Sequence, residues 1–152
     1  MTKQDLLLII KNAKTAHQRW LDNAIALVEG RPLDKTQVPV NATDCEFGCW
    51  YYGEGQLLKP ISVFRELGIY HDVLHHTYRD IFNLLFEEQH TKPSLINHLF
   101  GSSSSKENQQ KARERLKALE QNSKLVIKKL DELESFVLVM AEEQIESFLH
   151  KH

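Results

Sequence analysis

Residues 60–88 read PISVFRELGIYHDVLHHTYRDIFNLLFEE, and this stretch decides the fold class. Proline suits the first position of a helix, so we predict a long helix from Pro60 to about Glu88. Its larger side chains recur every three or four residues, which predicts a helix that packs one face against its neighbours. This stripe contains Phe64, Leu67, His71, Leu74, His75, Tyr78, Phe82 and Leu85.

The beginning of the chain predicts a similar helix, from about Thr2 to Glu29. Thr2 can cap its first turn, with an acid at Asp5, and Gly30 and Pro32 end it. One apolar face again follows from the spacing. It contains Leu6, Ile9, Ile10, Ala13, His17, Trp20, Leu21, Ala24 and Val28.

The last part of the chain predicts the longest helix, from about Lys106 to Phe148. Its heptad-like stripe contains Leu116, Leu119, Val126, Leu130, Leu133, Val137 and Met140, with Ser123 at one position of the register. Such a helix would be roughly 60 Å long at about 1.5 Å per residue, so it either kinks or projects beyond the bundle. Further apolar residues off this stripe favour a dimer contact. They are Ile127, Leu138, Ile145 and Leu149.

The segments between these helices are shorter or irregular. We predict a loop over residues 30–44, a short helix over Cys45–Tyr51 capped by Asp44, and a short amphipathic segment over Leu95–Phe100. The serines that precede Lys106 indicate a linker over residues 101–105, and the last of them can cap the final helix. The sequence therefore predicts an all-α protein. It is a single domain over residues 1–152, built as a four-helix bundle with an additional short helix that carries Cys45.

Composition narrows the class of protein. The 152 residues include 19 basic and 21 acidic side chains, and the formal charge is −2, so no strong field favours nucleic acid or an anionic membrane. The apolar run Leu6–Ile10 is too short for a signal core or a membrane span. Two cysteines cannot build a disulfide framework, which is typical of a protein in the reducing cytoplasm.

Four residues could together hold a metal ion: His17, Cys45, His71 and His75. The last two are four residues apart, so a helix presents them on one face, one turn apart. His17 lies on the apolar stripe of the first helix, where an unpaired imidazole would carry a desolvation cost. One thiolate and three imidazoles make a complete tetrahedral set for zinc and leave no position open for a reacting water.

Each of these residues also has an ordinary interpretation. A pair of histidines four apart is common on helix surfaces, and a histidine on an apolar stripe often bonds to a carbonyl in the core. A lone cysteine usually behaves as a small buried hydrophobe. Cys49, one turn beyond Cys45, either packs in the core or serves as a redox partner. The aromatic residues Trp20, Phe47 and Trp50 would wall the site from water.

The combined pattern resembles the chemoreceptor zinc-binding domain family. The parts of this pattern are His17 to Leu21, the segment Cys45-Glu46-Phe47-Gly48-Cys49-Trp50, and His71 to His75. Residues 50–55 also resemble the stretch that follows the cysteine segment in the family. The resemblance covers about residues 10–140. It implies a helical bundle, usually a homodimer, that binds zinc through one cysteine and three histidines. By this resemblance the ligands are His17, Cys45, His71 and His75.

Domains of this family usually flank an output module, such as a methyl-accepting chemotaxis domain or a diguanylate cyclase, and pass zinc or oxidant signals to it. With 152 residues we expect no output domain here, so the output would run through another polypeptide. The resemblance thus implies a cytoplasmic zinc-binding sensor or regulatory module of bacterial signal transduction. The expected input is zinc or an oxidant such as hypochlorous acid, acting at Cys45.

Two other functions stay open at this stage. The zinc could be a purely structural staple in a dimerisation module whose working surface is the long last helix. An enzyme is the less favoured interpretation, because catalytic zinc keeps an open position and the chain has no phosphate-binding loop or nucleophile elbow. We therefore expect a protein that is not an enzyme and that binds neither nucleic acid nor membrane.

Overall fold

The computed structural model of the chain describes residues 1–86 and 105–150. Within these residues every regular element is helical, so the all-α prediction is confirmed. Five α-helices follow in order: α1 (Lys3–Val28), α2 (Glu46–Tyr52), α3 (Ser62–Phe86), α4 (Lys106–Val139) and α5 (Glu142–Leu149). Two short 3-10 turns, at Lys35–Gln37 and Glu54–Leu58, lie before and after α2.

Helix α1 forms as its sequence predicts. The Thr2 hydroxyl accepts the N–H of Asp5, and the Asp5 carboxylate accepts the N–H of Thr2 at 2.8 Å, which closes a capping box. After the helix, Gly30 adopts a φ of +76°, a left-handed conformation that glycine reaches without strain. The predicted stripe is buried, except that Ile9 is only half-buried.

Helix α3 begins two residues later than predicted. Ile61 donates its N–H to the carbonyl of Leu58 at 2.9 Å, so Pro60 belongs to a turn and the helix starts at Ser62. Ile81 takes a core position, while Phe82 is half-buried. The predicted end at Glu88 lies outside the described residues.

Helix α4 is the central packing partner, since both α3 and α1 lie along it. Ser105 caps it by accepting the N–H of Asn108 at 3.1 Å, as predicted for the last serine of the run. Ion pairs flank the apolar seam: Lys14 of α1 bridges Asp131 and Glu134. The buried seam consists of Asn108, Ala112, Leu119, Ser123, Val126, Leu130, Leu133 and Val137.

The helix predicted over residues 106–148 is not continuous, because the chain bends at Met140; of the two predicted alternatives, a kink and a projecting end, the structure has the bend. Met140 has an extended backbone with a ψ of 139°, and the Lys3 ammonium donates to the carbonyls of Leu138 and Met140 at 2.7 and 2.8 Å. The ammonium thus donates hydrogen bonds to backbone carbonyls at the helix end, where no further turn of the helix can do so. Helix α5 then packs against the 3-10 turn Glu54–Leu58 and buries Ile145, which the sequence had assigned to a dimer contact, inside its own fold.

Two further predictions fall outside the described residues, namely the short segment over Leu95–Phe100 and positions 101–104 of the linker. The loop over residues 30–44 is irregular except for its 3-10 turn. Among the helices of residues 1–86 and 105–150, none has the length and apolar character that crossing a membrane requires.

Candidate metal centre

Cys45 is the N-terminal cap of α2, a position that the sequence had given to Asp44. Its sulfur accepts the backbone N–H of Gly48 at 3.2 Å and lies 3.5 Å from the carbonyl oxygen of Ala42. The side chain of Asp44 instead accepts a hydrogen bond from the Asn41 amide at 2.9 Å. Cys45 is therefore held at a fixed point by its own helix, and it is 6% exposed.

The structure brings Cys45 together with His71 and His75 of α3. One ligand atom from each of the three residues lies within 4.8 Å of the other two. The Cys45 sulfur is 3.2 Å from Nε2 of His71, and the two imidazole centroids are 4.6 Å apart. All three side chains are buried, so their donor atoms face one another out of bulk water.

The backbone orients one of these imidazoles for ligation. His75 donates its Nδ1–H to the carbonyl oxygen of Val40 at 2.9 Å, which leaves the lone pair on Nε2. A metal-binding histidine usually donates its second nitrogen to such a partner. His71 differs: Nε2 faces Cys45, and its buried Nδ1 has no hydrogen-bond partner among the residues that the structure describes.

His17 lies on the same side of the bundle but outside this group of three. Its Nε2 is 2.8 Å from the hydroxyl of Ser123 on α4, and the imidazole is 4% exposed. It stacks beside Trp20, with ring centroids 6.2 Å apart. The role of His17 as fourth ligand thus stays a prediction, whereas its place on the buried face of α1 is observed.

A cleft of about 230 Å³ connects all four residues. Its inner wall contains His17, Cys45, His71 and His75, and its rim includes the exposed Arg19 and Glu46. The cleft therefore offers an ion a route from the surface to the buried donors, as a metal site requires.

Aromatic rings line this cleft, as predicted for two of the three aromatic residues. Phe47 meets His71 edge-on at 4.6 Å between centroids, and Trp20 lies 4.9 Å from His75. Trp50 packs instead on Phe64 at 5.9 Å. These rings keep the imidazoles in place and lower the local dielectric around the donors.

Burial keeps the imidazoles neutral. It lowers the pKa of His17 to about 4 and that of His71 to about 3, and the neighbouring His75 adds to both shifts. Burial also lowers the pKa of His75. A neutral imidazole has a lone pair to give, so these residues enter the physiological pH range ready to bind a metal.

The two cysteines differ sharply in their surroundings. Burial raises the pKa of the Cys45 thiol to about 11, opposed by the N–H of Gly48. A bound cation would reverse this shift, because metal coordination deprotonates a thiol. Cys49 is exposed and donates to the carbonyl of Thr43 at 3.5 Å, so the interpretation of Cys49 as a core residue is wrong.

The donor set fits zinc. One sulfur and two or three imidazole nitrogens are the ligands that Zn²⁺ prefers. Sequence reasoning missed two partners of this centre, the Val40 carbonyl and Ser123. A backbone carbonyl in a loop leaves no sequence signal, but a lone serine in an apolar heptad register is one.

Because these imidazoles are neutral in the folded protein, we expect the stability of the metal-free protein to depend on pH. Their pKa values lie below the ordinary 6.5, so the unfolded chain binds protons that the folded chain does not. Stability is therefore full above pH 6.5 and falls as the pH drops toward 4. From pH 7 to 5, we expect chelator-treated protein to lose about 2 kcal/mol of unfolding free energy for each of His17 and His71, and so about 4 kcal/mol in all.

Urea denaturation across this pH range measures the effect. His76→Gln, at an exposed histidine, should keep the slope of stability against pH, and His17→Gln should reduce it by about half, because His71 still contributes its share. Equal stability of the wild type at pH 7 and 5 would contradict the burial of neutral imidazoles.

Residues 17–82 match the family model of the chemoreceptor zinc-binding domain. The matched segment begins at His17 and contains Cys45, His71 and His75, while α4 and α5 lie beyond it. No curated protein and no solved structure matches the chain closely enough to indicate kinship. Over this segment the chain is therefore similar to the chemoreceptor zinc-binding domain, and the donor group of Cys45, His71 and His75 fits zinc as its cofactor.

Proposed function

We propose that the chain is a chemoreceptor zinc-binding domain and works as a non-catalytic, cytoplasmic sensor in which Cys45 is the oxidant-sensitive ligand of the zinc. The observation that carries the proposal is the grouping of Cys45, His71 and His75 within 4.8 Å. Cys45, His71 and His75 would hold the ion, and we propose His17 as the fourth ligand. Four protein ligands would close the coordination sphere, which suits signalling and disfavours an enzyme.

The chemistry of the sensor resides in the sulfur. When bound, zinc keeps Cys45 as a thiolate, the form of cysteine that oxidants attack. One thiolate and one hypochlorous acid give one sulfenic acid and one chloride, as a sulfur–oxygen bond forms and the oxygen–chlorine bond breaks. A sulfenic acid is a poorer ligand than a thiolate, so oxidation weakens the site.

Loss of this ligand would act locally, because Cys45 holds only one end of its helix. The other end of α2 has its own anchors: the Tyr51 hydroxyl donates to the Phe64 carbonyl at 3.0 Å, and their rings stack at 4.4 Å. Tyr52 also donates to Asp72 at 2.8 Å. We therefore expect oxidation to loosen the segment that leads into Cys45, residues 39–48, while the C-terminal half of α2 stays attached to α3.

An oxidant titration tests the redox role. Hypochlorous acid should release zinc from the wild type. The amount of zinc released should rise in proportion to the amount of Cys45 that has gained a single oxygen atom, because the ligand itself reacts. Released zinc is followed with a chromophoric chelator, and the oxidised residue by mass spectrometry. Cys49→Ser is the matched control and should behave as the wild type does.

Two results would end the redox proposal. In one, Cys45→Ser loaded with zinc releases it at the same oxidant dose as the wild type. In the other, oxygen is added to Cys49 or methionine while the zinc stays bound.

The signal must reach a partner, which we propose to be a separate output protein of the chemoreceptor or diguanylate cyclase type. We also propose a homodimer, supported by the apolar side chains that α4 leaves in solvent. Phe136, Leu138 and Val139 are 41%, 52% and 84% exposed. These residues equally support the alternative function, a dimerisation module with structural zinc. An oligomeric state that is unchanged by both chelator and oxidant would favour that alternative.

A further inference from the structure

Ser123 is a buried polar residue in an otherwise apolar seam. It is 3% exposed and occupies the register position between Leu119 and Val126 of α4. A buried hydroxyl is costly unless it forms a hydrogen bond. Its partner is the Nε2 atom of His17, 2.8 Å away on α1.

The direction of this hydrogen bond sets which nitrogen of His17 can bind a metal, since the serine hydroxyl can either donate or accept. A neutral imidazole has one protonated nitrogen and one lone pair. If Nε2 donates its hydrogen to Ser123, the lone pair lies on Nδ1. His75 shows the same division of roles with its nitrogens exchanged, since its Nδ1 donates to Val40 and its Nε2 keeps the lone pair.

The residue next to Ser123 makes a matching contact on the other side. Asn122 donates its side-chain amide to the Thr77 hydroxyl of α3 at 2.6 Å, two residues beyond His75. The Thr77 hydroxyl in turn donates to the carbonyl of Val73 at 3.1 Å. Two consecutive residues of α4 are thus hydrogen-bonded to the two helices that carry the histidines.

We propose that Ser123 is a positioning residue of the zinc site, which holds His17 as the Nε2–H tautomer with Nδ1 directed to the metal and so couples the ion to helix α4. The inference rests on the proposed four-ligand site. It assigns a role to a helix that supplies no predicted ligand and lies beyond the matched segment, residues 17–82. Zinc binding would then stabilise the position of α4, because the His17 imidazole would contact both the ion and Ser123 of α4.

Zinc affinity, measured by competition with a chelator, tests this coupling. Removal of such an outer hydrogen-bond partner typically lowers metal affinity about 10- to 100-fold. We expect Ser123→Ala to lower zinc affinity by at least about tenfold. Ser135→Ala is the matched control, because it removes an exposed hydroxyl from the same helix and should change nothing. In a His17→Ala background, Ser123→Ala should have no further effect.

A second measurement does not depend on the folding of any variant. Nitrogen NMR of the zinc-loaded wild type reports the tautomer of each histidine, and we expect His17 protonated at Nε2. A metal bound to Nε2 of His17, or equal affinities for Ser123→Ala and Ser135→Ala, would overturn the inference. If Cys45→Ala abolishes binding and His17→Ala does not alter it, the inference fails while the zinc site stands. A wild type without zinc affinity would overturn both.

Discussion

Cys45→Ala is expected to lower the affinity for zinc by at least about a hundredfold. Structural zinc sites have apparent binding free energies of about 10–16 kcal/mol, so an equal share for one ligand of four is about 2.5–4 kcal/mol, which is on the order of a hundredfold in affinity. The true share of a thiolate is larger, because it alone brings a full negative charge. The cleft offers no substitute sulfur, since the Cys49 thiol is exposed and lies against the Thr43 carbonyl.

Elemental analysis and chelator competition would measure this loss directly. Cys49→Ala is the matched control, because it removes the same thiol four positions further along α2 and should retain one zinc per chain. Equal zinc content in both variants would contradict the assignment of Cys45 as a ligand. Cys45→Ala should also lose the sulfur that caps α2, so its metal-free form should be slightly less stable than the wild type.

Gly48→Ala should destabilise the protein and weaken zinc binding together. A Cβ atom at Gly48 would lie 1.6 Å from the carbonyl oxygen of Ala42 and 3.3 Å from the sulfur of Cys45. The first contact is with backbone, so no side-chain rotation relieves it. The loop before Cys45 must therefore move away from α2 and take the ligand with it. We expect a loss of about 3 kcal/mol in the unfolding free energy.

Urea denaturation of the metal-free variant and chelator competition of the loaded one separate the two effects. Glu46→Ala changes an exposed residue of the same helix and should match the wild type in both assays. If Gly48→Ala keeps wild-type zinc affinity, the loop is not needed to hold Cys45 in place. The substitution is more informative than a ligand change, since it alters no donor atom.

Much of the fold could be predicted because its signals are local. Thr2 and Ser105 cap the helices that their sequence positions indicate, and the stripes of α1, α3 and α4 face the core. The position of the bend in the last helix could not be predicted, because the carbonyl of Met140 bonds to Lys3, 137 residues away in the sequence. Helical periodicity continues through such a bend, as it did from Val137 to Ile145.

The candidate site likewise has features that could be predicted from the sequence and features that could not. Spacing predicts that His71 and His75 share a face, and the structure confirms it. Spacing also places His17 on the buried face of α1, but it cannot specify the direction of the imidazole. That direction follows from Ser123, which is 106 residues away in the sequence. The Cys45 cap was missed because an aspartate beside a helix start is the more frequent cap.

The aromatic residues around the cleft have an optical consequence. The chain contains only two tryptophans, and both report on this part of the bundle. The Trp20 indole lies 4.9 Å from the ring of His75, and Trp50 lies 5.8 Å from Phe47, which touches His71. Helices α4 and α5 contribute no indole. The intrinsic fluorescence of the protein is therefore a label-free signal from the cleft, suited to following ion uptake and release in real time.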